Sequence, residues 1–338
     1  MQDIGIDLGT SSTIVYVGGK GIVLCEPSVV AINIKDESIL TVGDEAYKML
    51  GKTPGRIRAM YPLENGVISD YKAAQAMVKY FINKICKNSS IKPRISLCVP
   101  SGITNVEASA VVDAAVFAGA RKVYLIEEPV AAAIGAGIDI TKPKGNLIVD
   151  IGGGTTDYAV ISLSGIAEKA SIRVAGNTIN QSLIKYVREK YSILIGEKMA
   201  DEIKREIASV YFDKETEEKE FVLKGRNLLT GLPSKQIIKR SEIYPVVLDI
   251  ALQIVNQIPV VMSQTPPELS SDVFENGIIL TGGGALLHGL DRLITERTGT
   301  KCIVAENPEQ CVAIGTGRAF EYLGKLVDGF VNPSTCSH

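Results

Sequence analysis

Tryptophan is absent and histidine nearly so: His288 lies in an apolar stretch and His338 is the last residue. A Ser-His-Asp triad needs an imidazole base and a histidine-rich zinc site needs several, so both chemistries lack their main ingredient. The plain reading of the two is a ring packed against a helix and a frayed terminus. The six cysteines are scattered with no CxxC pair, and no signal-like segment precedes Ile4; this reads as a reduced, cytosolic protein with free thiols. No apolar run approaches the roughly 20 residues of a transmembrane helix. A formal net charge of −2 lacks the basic excess of a dedicated nucleic-acid binder, so no nucleic-acid partner is expected. "AYKMLGKT" (Ala46 to Thr53) imitates a phosphate loop. Alanine stands at its first glycine position and no clear strand leads in, so it reads as a helix end.

What is present is size and repetition. The 338 residues are 46% apolar and 22% charged, enough for more than one buried core, so two domains or one bilobal unit are expected. "DIGIDLG" is a buried strand breaking at Gly9, and "TIVYV" is the strand that returns from it. The Gly18-Gly19-Lys20-Gly21 turn then leads into "IVLCEPSVVAI", a third strand with a proline interruption. "NLIVDIGGGTTDYAVISL" repeats strand, turn and strand, and "GIAEKASIRVAG" supplies its third. A helix follows each unit, from Asp70 and from Asn177. In the first, Ala74, Met77, Val78, Phe81, Ile82 and Ile85 fall at helical spacing and form a core-facing stripe. "RISLCVP" and "GIILTGGG" read as further strands. Both halves thus run β-hairpin, β, α, β, α, which predicts two homologous α/β lobes facing across a cleft. The lobes are expected at 1–140 and 141–338. Small subdomains are expected as insertions at about 30–65 and about 178–245, the second around a charged stretch from about 210 to 240.

Each half sets an aspartate at a strand end, followed by glycine and hydroxyl residues. Backbone N–H groups close on phosphate oxygens only where no Cβ intervenes. Gly152, Gly153 and Gly154, with Thr155 and Thr156, offer such a cradle; Gly9, Thr10, Ser11 and Ser12 offer its counterpart. An aspartate beside phosphate is repulsive unless a cation lies between, so Asp7 and Asp150 imply Mg²⁺, reached through water. One such turn would be an ordinary hairpin. Two at matching positions of a repeat point to one polyphosphate held from both sides. A third cluster, Gly282, Gly283 and Gly284 followed by Ala285, ends a strand at Thr281 and opens a helix, where a flat base or a phosphate could lie. In "EKMADEIKREI", Asp201, Lys204 and Arg205 either reach a ribose or base edge or form a solvated charged face.

These motifs resemble those of the MreB family of bacterial actin homologues, within the superfamily of actin, the seventy-kilodalton heat-shock chaperones and sugar kinases. "IGIDLGTSST" is similar to the first phosphate motif, "VDIGGGTTD" to the second and "GIILTGGGALL" to the adenosine motif. "LIEEPVAAAIG" and "CVAIGTGRAF" resemble the two connecting helices at the hinge, and the likeness runs to about residue 325. It implies an α/β, actin-like ATPase fold of two duplicated ribonuclease-H-like lobes, each with a small inserted subdomain, and ATP or GTP with Mg²⁺ in the cleft. It also implies that Glu128 orients the attacking water and that Thr155 supports it. On residues alone, Glu127 and Glu128 also fit an acidic helix start. The implied activity is a weak nucleoside-triphosphatase coupled to polymerisation. The implied setting is paired antiparallel filaments at the inner face of the cell membrane, acting with membrane proteins of cell-wall elongation to determine cell shape.

Two departures bear on the membrane. Family members hold it by an N-terminal amphipathic helix or by a hydrophobic loop after the helix that ends near Ile85. Here only Met1, Gln2 and Asp3 precede the first strand, and the loop "CKNSSIKP" offers Ile91 between Lys87 and Lys92. One buried side chain contributes roughly 1.5–3 kcal/mol, so attachment is expected through filament avidity or a partner. The competing readings are a non-polymerising, nucleotide-gated binding module and, less favoured, a small-molecule kinase of the superfamily; a chaperone would need a further substrate domain. The helix "NVEASAVVDAAVFAGA" (Asn105 to Ala120) is apolar nearly all round, so it is either wrapped by its own lobe or covered by a partner. The resemblance puts it between paired protofilaments. The face holding Ala108, Ser109 and Val112 is expected at that contact, with Ala115 or Val116 turned into the lobe.

Overall fold

The chain enters as β1 (Asp3–Leu8), β2 (Ser12–Val17) and β3 (Gly21–Pro27), an antiparallel meander. Alternation along β1 sends Ile4, Ile6 and Leu8 into one core and turns Gly5 and Asp7 to the opposite face. The run expected as one interrupted third strand is two strands. Proline cannot donate to a ladder, and beyond Pro27 the segment Val30–Asn33 (β4) pairs instead with β5 (Ile39–Val42) and with a later strand in a separate sheet. Between these partners α1 (Asp44–Met49) ends at the imitation phosphate loop, which is a helix end as expected, and β6 (Ile57–Met60) completes the small sheet. β7 (Leu63–Glu64) and β8 (Val67–Ile68) form a ribbon whose turn is Asn65–Gly66, at φ 51° and 77°. Positive φ at both positions is what an Asn-Gly hairpin turn supplies.

α2 (Tyr71–Cys86) begins where the Asp70 carboxylate accepts the Ala73 N–H at 3.0 Å. It buries the expected stripe from Ala74 to Ile82, with Ile85 half-buried beside it. β9 (Arg94–Val99), α3 (Asn105–Phe117) and β10 (Lys122–Glu127) follow, and α4 (Glu128–Gly135) leaves the lobe. The sheet runs β3-β2-β1-β9-β10. On α3 the expected face is corrected. Val112 is half-buried against the core of its own lobe, whereas Val106, Val116 and Phe117 are 80%, 53% and 63% exposed. Ala115 is buried, as expected. The helix drifts about 100° per residue, which carries 106, 109, 113, 116 and 117 outward together.

The second half repeats this plan with β11 (Asn146–Ile151), β12 (Thr156–Ser162), β13 (Gly165–Ile172) and α5 (Gly176–Tyr191). A second small sheet follows: β14 (Ile193–Leu194), then, after α6 (Glu197–Ile207), β15 (Glu220–Asn227) and β16 (Pro233–Lys239). Ile179, Leu183 and Val187 of α5 share one core with Leu147 and Val149 of β11 and with Ile193, Leu223 and Ile238 of this sheet. α7 (Arg240–Gln264) is long and apolar enough to cross a membrane by composition, yet Ile243, Val247, Ile250, Ile254 and Ile258 bury one face of it in this same core. α7 also ties β12 to this core. There the Ile254 carbonyl accepts the buried Tyr158 hydroxyl at 2.8 Å. α8 (Pro267–Asn276), β17 (Ile278–Thr281), α9 (Leu290–Thr298) and β18 (Cys302–Val304) complete a sheet ordered β13-β12-β11-β17-β18, the same order as the first.

The chain's last elements pack on the first sheet. α10 (Cys311–Arg318) lies on β1 and β2, and β19 (Phe330–Val331) pairs with β10, so this part of the chain returns to the first lobe. α4 correspondingly lies on β11 and β12 of the second lobe. The two helices cross between the sheets at Gly135 and Gly315, where a Cβ would overlap the Cys311 and Ala131 carbonyls. This computed structural model describes residues 3–86, 92–212, 218–324, 326 and 330–331. Ile91 with its loop, Met1, Gln2 and His338 lie outside the described residues.

Candidate functional site

The crossed helices decide where the two aspartates go. Asp7 is on the face of β1 that looks toward α10, and Asp150 is on the face of β11 that looks toward α4, opposite its core residues Leu147, Val149 and Ile151. The two carboxylates therefore face a common cleft floor, and each contributes to the field at the other lobe: the Asp7 charge acts on Asp150. Burial pushes the Asp7 carboxyl up to about 6, against a hydrogen bond donated by the Cys98 thiol at 3.2 Å. Burial pushes Asp150 up to about 7, opposed by the Thr281 hydroxyl, which donates at 2.7 Å, and reinforced by the charges of Asp157 and Asp7. Among the described residues no three His, Cys, Asp or Glu side chains gather into a metal cage. Two carboxylates and no cage fit Mg²⁺, which keeps its waters and takes phosphate oxygens.

The turns that follow the aspartates are in contact. A Cβ on Gly153 would overlap Ser11 Oγ, and one on Gly154 would lie 2.7 Å from both Thr10 Oγ1 and Asn65 Cα. Glycine is required here by close approach, as a phosphate cradle demands. Gly9 is held by its carbonyl, which accepts the Ser28 hydroxyl at 2.7 Å, and Ser12 opens β2. Gly152 donates its N–H to the Thr155 carbonyl at 2.9 Å, closing the second turn on itself. The N–H groups of Gly176 and Asn177, at the start of α5, bond the Gly152 and Gly153 carbonyls at 3.2 and 2.8 Å. The turn and the helix start are thereby one rigid unit.

Glu128 is the first residue of α4 and looks into the same cleft. Burial, then the charges of Asp157, Asp150 and Asp7, hold its carboxyl well above the usual carboxylate range. A glutamate with this environment is a base of raised strength beside the phosphate cradle. Thr155 is buried at the base of the second turn, with its methyl against Gly66. Glu127 points elsewhere: it accepts Lys169 Nζ at 2.7 and 2.9 Å, an ion pair between the lobes.

The remaining candidates divide. Lys204 Nζ reaches the Gly176 carbonyl at 3.2 Å and so stands beside the second turn. Asp201 pairs with Lys204 at 2.8 Å and Arg205 at 2.7 Å; burial pushes its carboxyl up, and those two cations more than offset this. Arg205 itself is 76% exposed along its side chain. The third glycine cluster does not open a regular helix. Gly282 has φ 78°, Gly283 to Leu286 form one 3₁₀ turn, and α9 starts only at Leu290. Gly283 is exposed with open space around it, Gly284 packs on Ile151, and Ala285 is buried, so the turn offers one bare backbone edge to a flat ligand. His288 is not packed against a helix: it is exposed, and its Nδ1 meets the Ser209 hydroxyl at 2.9 Å.

Residues without an assigned role also belong here. The Asn65–Gly66 turn closes over the cradle, with the Gly66 N–H donated to Thr10 Oγ1 at 3.0 Å. Asn177, Cys98 and Thr281 steady the turns or aspartates as described. The Asn-Gly pair was a visible hairpin signal; the others carry no local signature, because Cys98 and Thr281 meet their aspartates across 91 and 131 residues and the Asn177 side chain meets Ser11 of the other lobe.

The MreB/Mbl protein family model matches residues 1–328. The chain is 47% identical over 326 residues to the cell shape-determining protein Mbl of Bacillus subtilis, covering 96% of this chain and 97% of that one. It is 47% identical over 328 residues to the cell shape-determining protein MreB of Escherichia coli, covering 95% and 94%. Among solved structures, MreB5 of Spiroplasma citri bound to ADP superposes with a TM-score of 0.90 at 39% identity, over 96% of this chain and 97% of that chain. The same MreB5 bound to AMPPNP gives 0.88 at 38% identity, with the same coverage. Matching sheet orders, facing turns and whole-length similarity agree: this chain belongs to the MreB/Mbl family.

Proposed function

We propose that this protein is a cytoskeletal ATPase that determines cell shape by polymerising into filaments. The single observation that carries the nucleotide reading is the direct contact of two acidic, glycine-bearing turns from two lobes of identical strand order. Gly152 to Thr155 and Gly9 to Ser12 would wrap the phosphates, with Lys204 and Asp201 toward the ribose and Gly282 to Ala285 along the base. Asp7 and Asp150 would hold Mg²⁺, which supplies neutralisation of the phosphate charge. Glu128 takes the role of base for the attacking water, and Thr155 steadies that water. Hydrolysis of this kind works by positioning and charge, which suits a site whose described residues place no histidine beside it.

For assembly, a groove of about 450 Å³ lined by Tyr71, Asn105, Val106, Ser109, Ala110 and Asp113 supports a second copy of the chain on α3. Paired antiparallel filaments, their place at the inner membrane face and the elongation proteins they serve belong to the same reading, as do GTP as an alternative nucleotide and a division into lobes near residue 140. The test is sedimentation with and without Mg-ATP, electron microscopy of the pellet, and phosphate release from the native chain and Glu128→Ala. Mg-ATP-dependent filaments are expected, with release slowed about 10- to 1000-fold in the variant at nearly native nucleotide affinity. Loss of ATP binding in Glu128→Ala would instead make Glu128 a structural hinge residue.

A further inference from the structure

Asp157 lies in the second phosphate motif but takes no part in either turn. It is fully buried on β12, across the ladder from Asp150. Its Oδ1 accepts the backbone N–H of Ser101 at 3.0 Å. Ser101 follows β9 in the first lobe, so this hydrogen bond spans the cleft. Two buried polar atoms remain without a hydrogen-bond partner at this junction: Asp157 Oδ2 and the Ser101 hydroxyl. Such atoms are costly inside a protein, and native structures keep them where they serve a purpose. Asp157 acts on Glu128 by its charge and by a side-chain hydrogen bond, so the two carboxyls are neighbours.

We propose that Asp157 is a positioning residue for hydrolysis: Oδ1 joins the lobes through Ser101, and Oδ2, with the Ser101 hydroxyl, holds a water that orients Glu128. This rests on Glu128 being the base. The leftover groups are complementary. Oδ2 only accepts, whereas the Ser101 hydroxyl donates, so a water that donates to Oδ2 and accepts from Ser101 keeps one O–H for the Glu128 carboxylate. Three polar partners are what a buried water requires. The Ser101–Asp157 bond joins the two lobes, so the water that aligns Glu128 depends on residues from both.

The experiment compares Asp157→Asn, Ser101→Ala and Glu128→Ala in the full chain. Asp157→Asn keeps an acceptor for the Ser101 N–H but replaces the bare acceptor with a donor. Ser101→Ala keeps the N–H and deletes the hydroxyl. Thermal melting, Mg-ADP affinity and the kcat and KM of phosphate release from Mg-ATP are measured for each. Native melting and KM within about twofold are expected for the two new variants, with kcat falling about 10- to 100-fold in Asp157→Asn and severalfold in Ser101→Ala. A purely structural Asp157 would not produce that split between kcat and KM. Native kcat in Asp157→Asn while Glu128→Ala is inactive overturns the role of Asp157 and leaves that of Glu128 standing. Native hydrolysis in Glu128→Ala overturns both. Should Asp157→Asn fail to fold, Ser101→Ala decides, and an unchanged kcat there overturns the proposal.

Discussion

α3 and α9 hold the same place in the two lobes, each joining the fourth and fifth strands of its sheet, yet they face solvent with opposite chemistry. α9 exposes Arg292, Glu296 and Arg297, whereas α3 exposes Val106, Val116 and Phe117. The phosphate turns differ in the same complementary way. The first brings Thr10, Ser11 and Ser12; the second brings bare glycine where those hydroxyls must fit. A duplicated fold fixes where helices and turns lie, and leaves each copy free to be the donor or the recipient. The bare glycines of the second turn are recipients for the Thr10 and Ser11 side chains that meet them, and the outer face of α3 is left apolar.

Breaking the helix comparison should have the largest effect. Val106→Glu or Val116→Glu leaves a folded monomer that binds nucleotide, because both side chains already lie in solvent, but abolishes paired filaments. Across a two-fold contact the new carboxylates meet one another, at a cost of several kcal/mol per interface. Arg297→Glu on α9 is the matched control and keeps filaments intact. Sedimentation and microscopy read the outcome, and normal paired filaments from Val116→Glu would remove α3 from the interface.

Next comes the turn comparison. Gly153→Val should lower nucleotide affinity by about 100-fold or more, since its Cβ enters the space of Ser11 Oγ and separates the two cradles. Adding Ser11→Gly should restore part of that loss, measured by calorimetry with Mg-ADP. No recovery would show that Gly153 matters for its own backbone and not for the facing turn.

Much of this was legible in the sequence, and the failures share a cause. Strands and turns obey local rules, so "DIGIDLGTSST" and "DIGGGTTD" gave their hairpins and their aspartates directly. The crossing helices were recognisable by resemblance to a family, not by periodicity. Val112 was misplaced because α3 is apolar all round, and a wheel without a polar face cannot say which side the sheet takes. The packing of α10 and β19 on the first sheet was not legible because their partners lie some 200–300 residues away in sequence. Asp157 was quoted and not assigned, since its hydrogen-bond partner, the Ser101 N–H, comes from the other lobe.

The two aspartates sharpen the comparison at a smaller scale. Asp150→Ala should weaken Mg-ATP at least tenfold, about 1.4 kcal/mol. Asp7→Ala should cost less, because Asp7 is more open to the cleft and is held by a thiol at 3.2 Å, whereas Asp150 is buried and held by a hydroxyl at 2.7 Å. Equal losses would show that the metal is shared evenly and that burial does not rank the pair.

The smallest effect is a pH dependence with opposite sign in the free and bound protein. Both aspartates titrate higher in the folded chain, about 6 and about 7, than the ordinary value of 3.8. Between roughly pH 4 and 7 the ligand-free fold therefore binds more protons than the unfolded chain, so its stability falls as pH rises through that window. Mg²⁺ takes only the ionised form, so bound metal competes with those protons. Stabilisation by Mg-ADP should grow as pH rises from 6 to 8, with affinity increasing up to roughly tenfold as a group titrating near 7 loses its proton. Melting temperatures at pH 6, 7 and 8, with and without Mg-ADP, separate the two trends. Asp150→Asn provides the internal check: it should flatten most of the Mg-ADP dependence, while Asp7→Asn should flatten mainly the part below pH 7. If both variants keep the native pH slope, the titrating groups lie elsewhere and the aspartates do not face one shared cation.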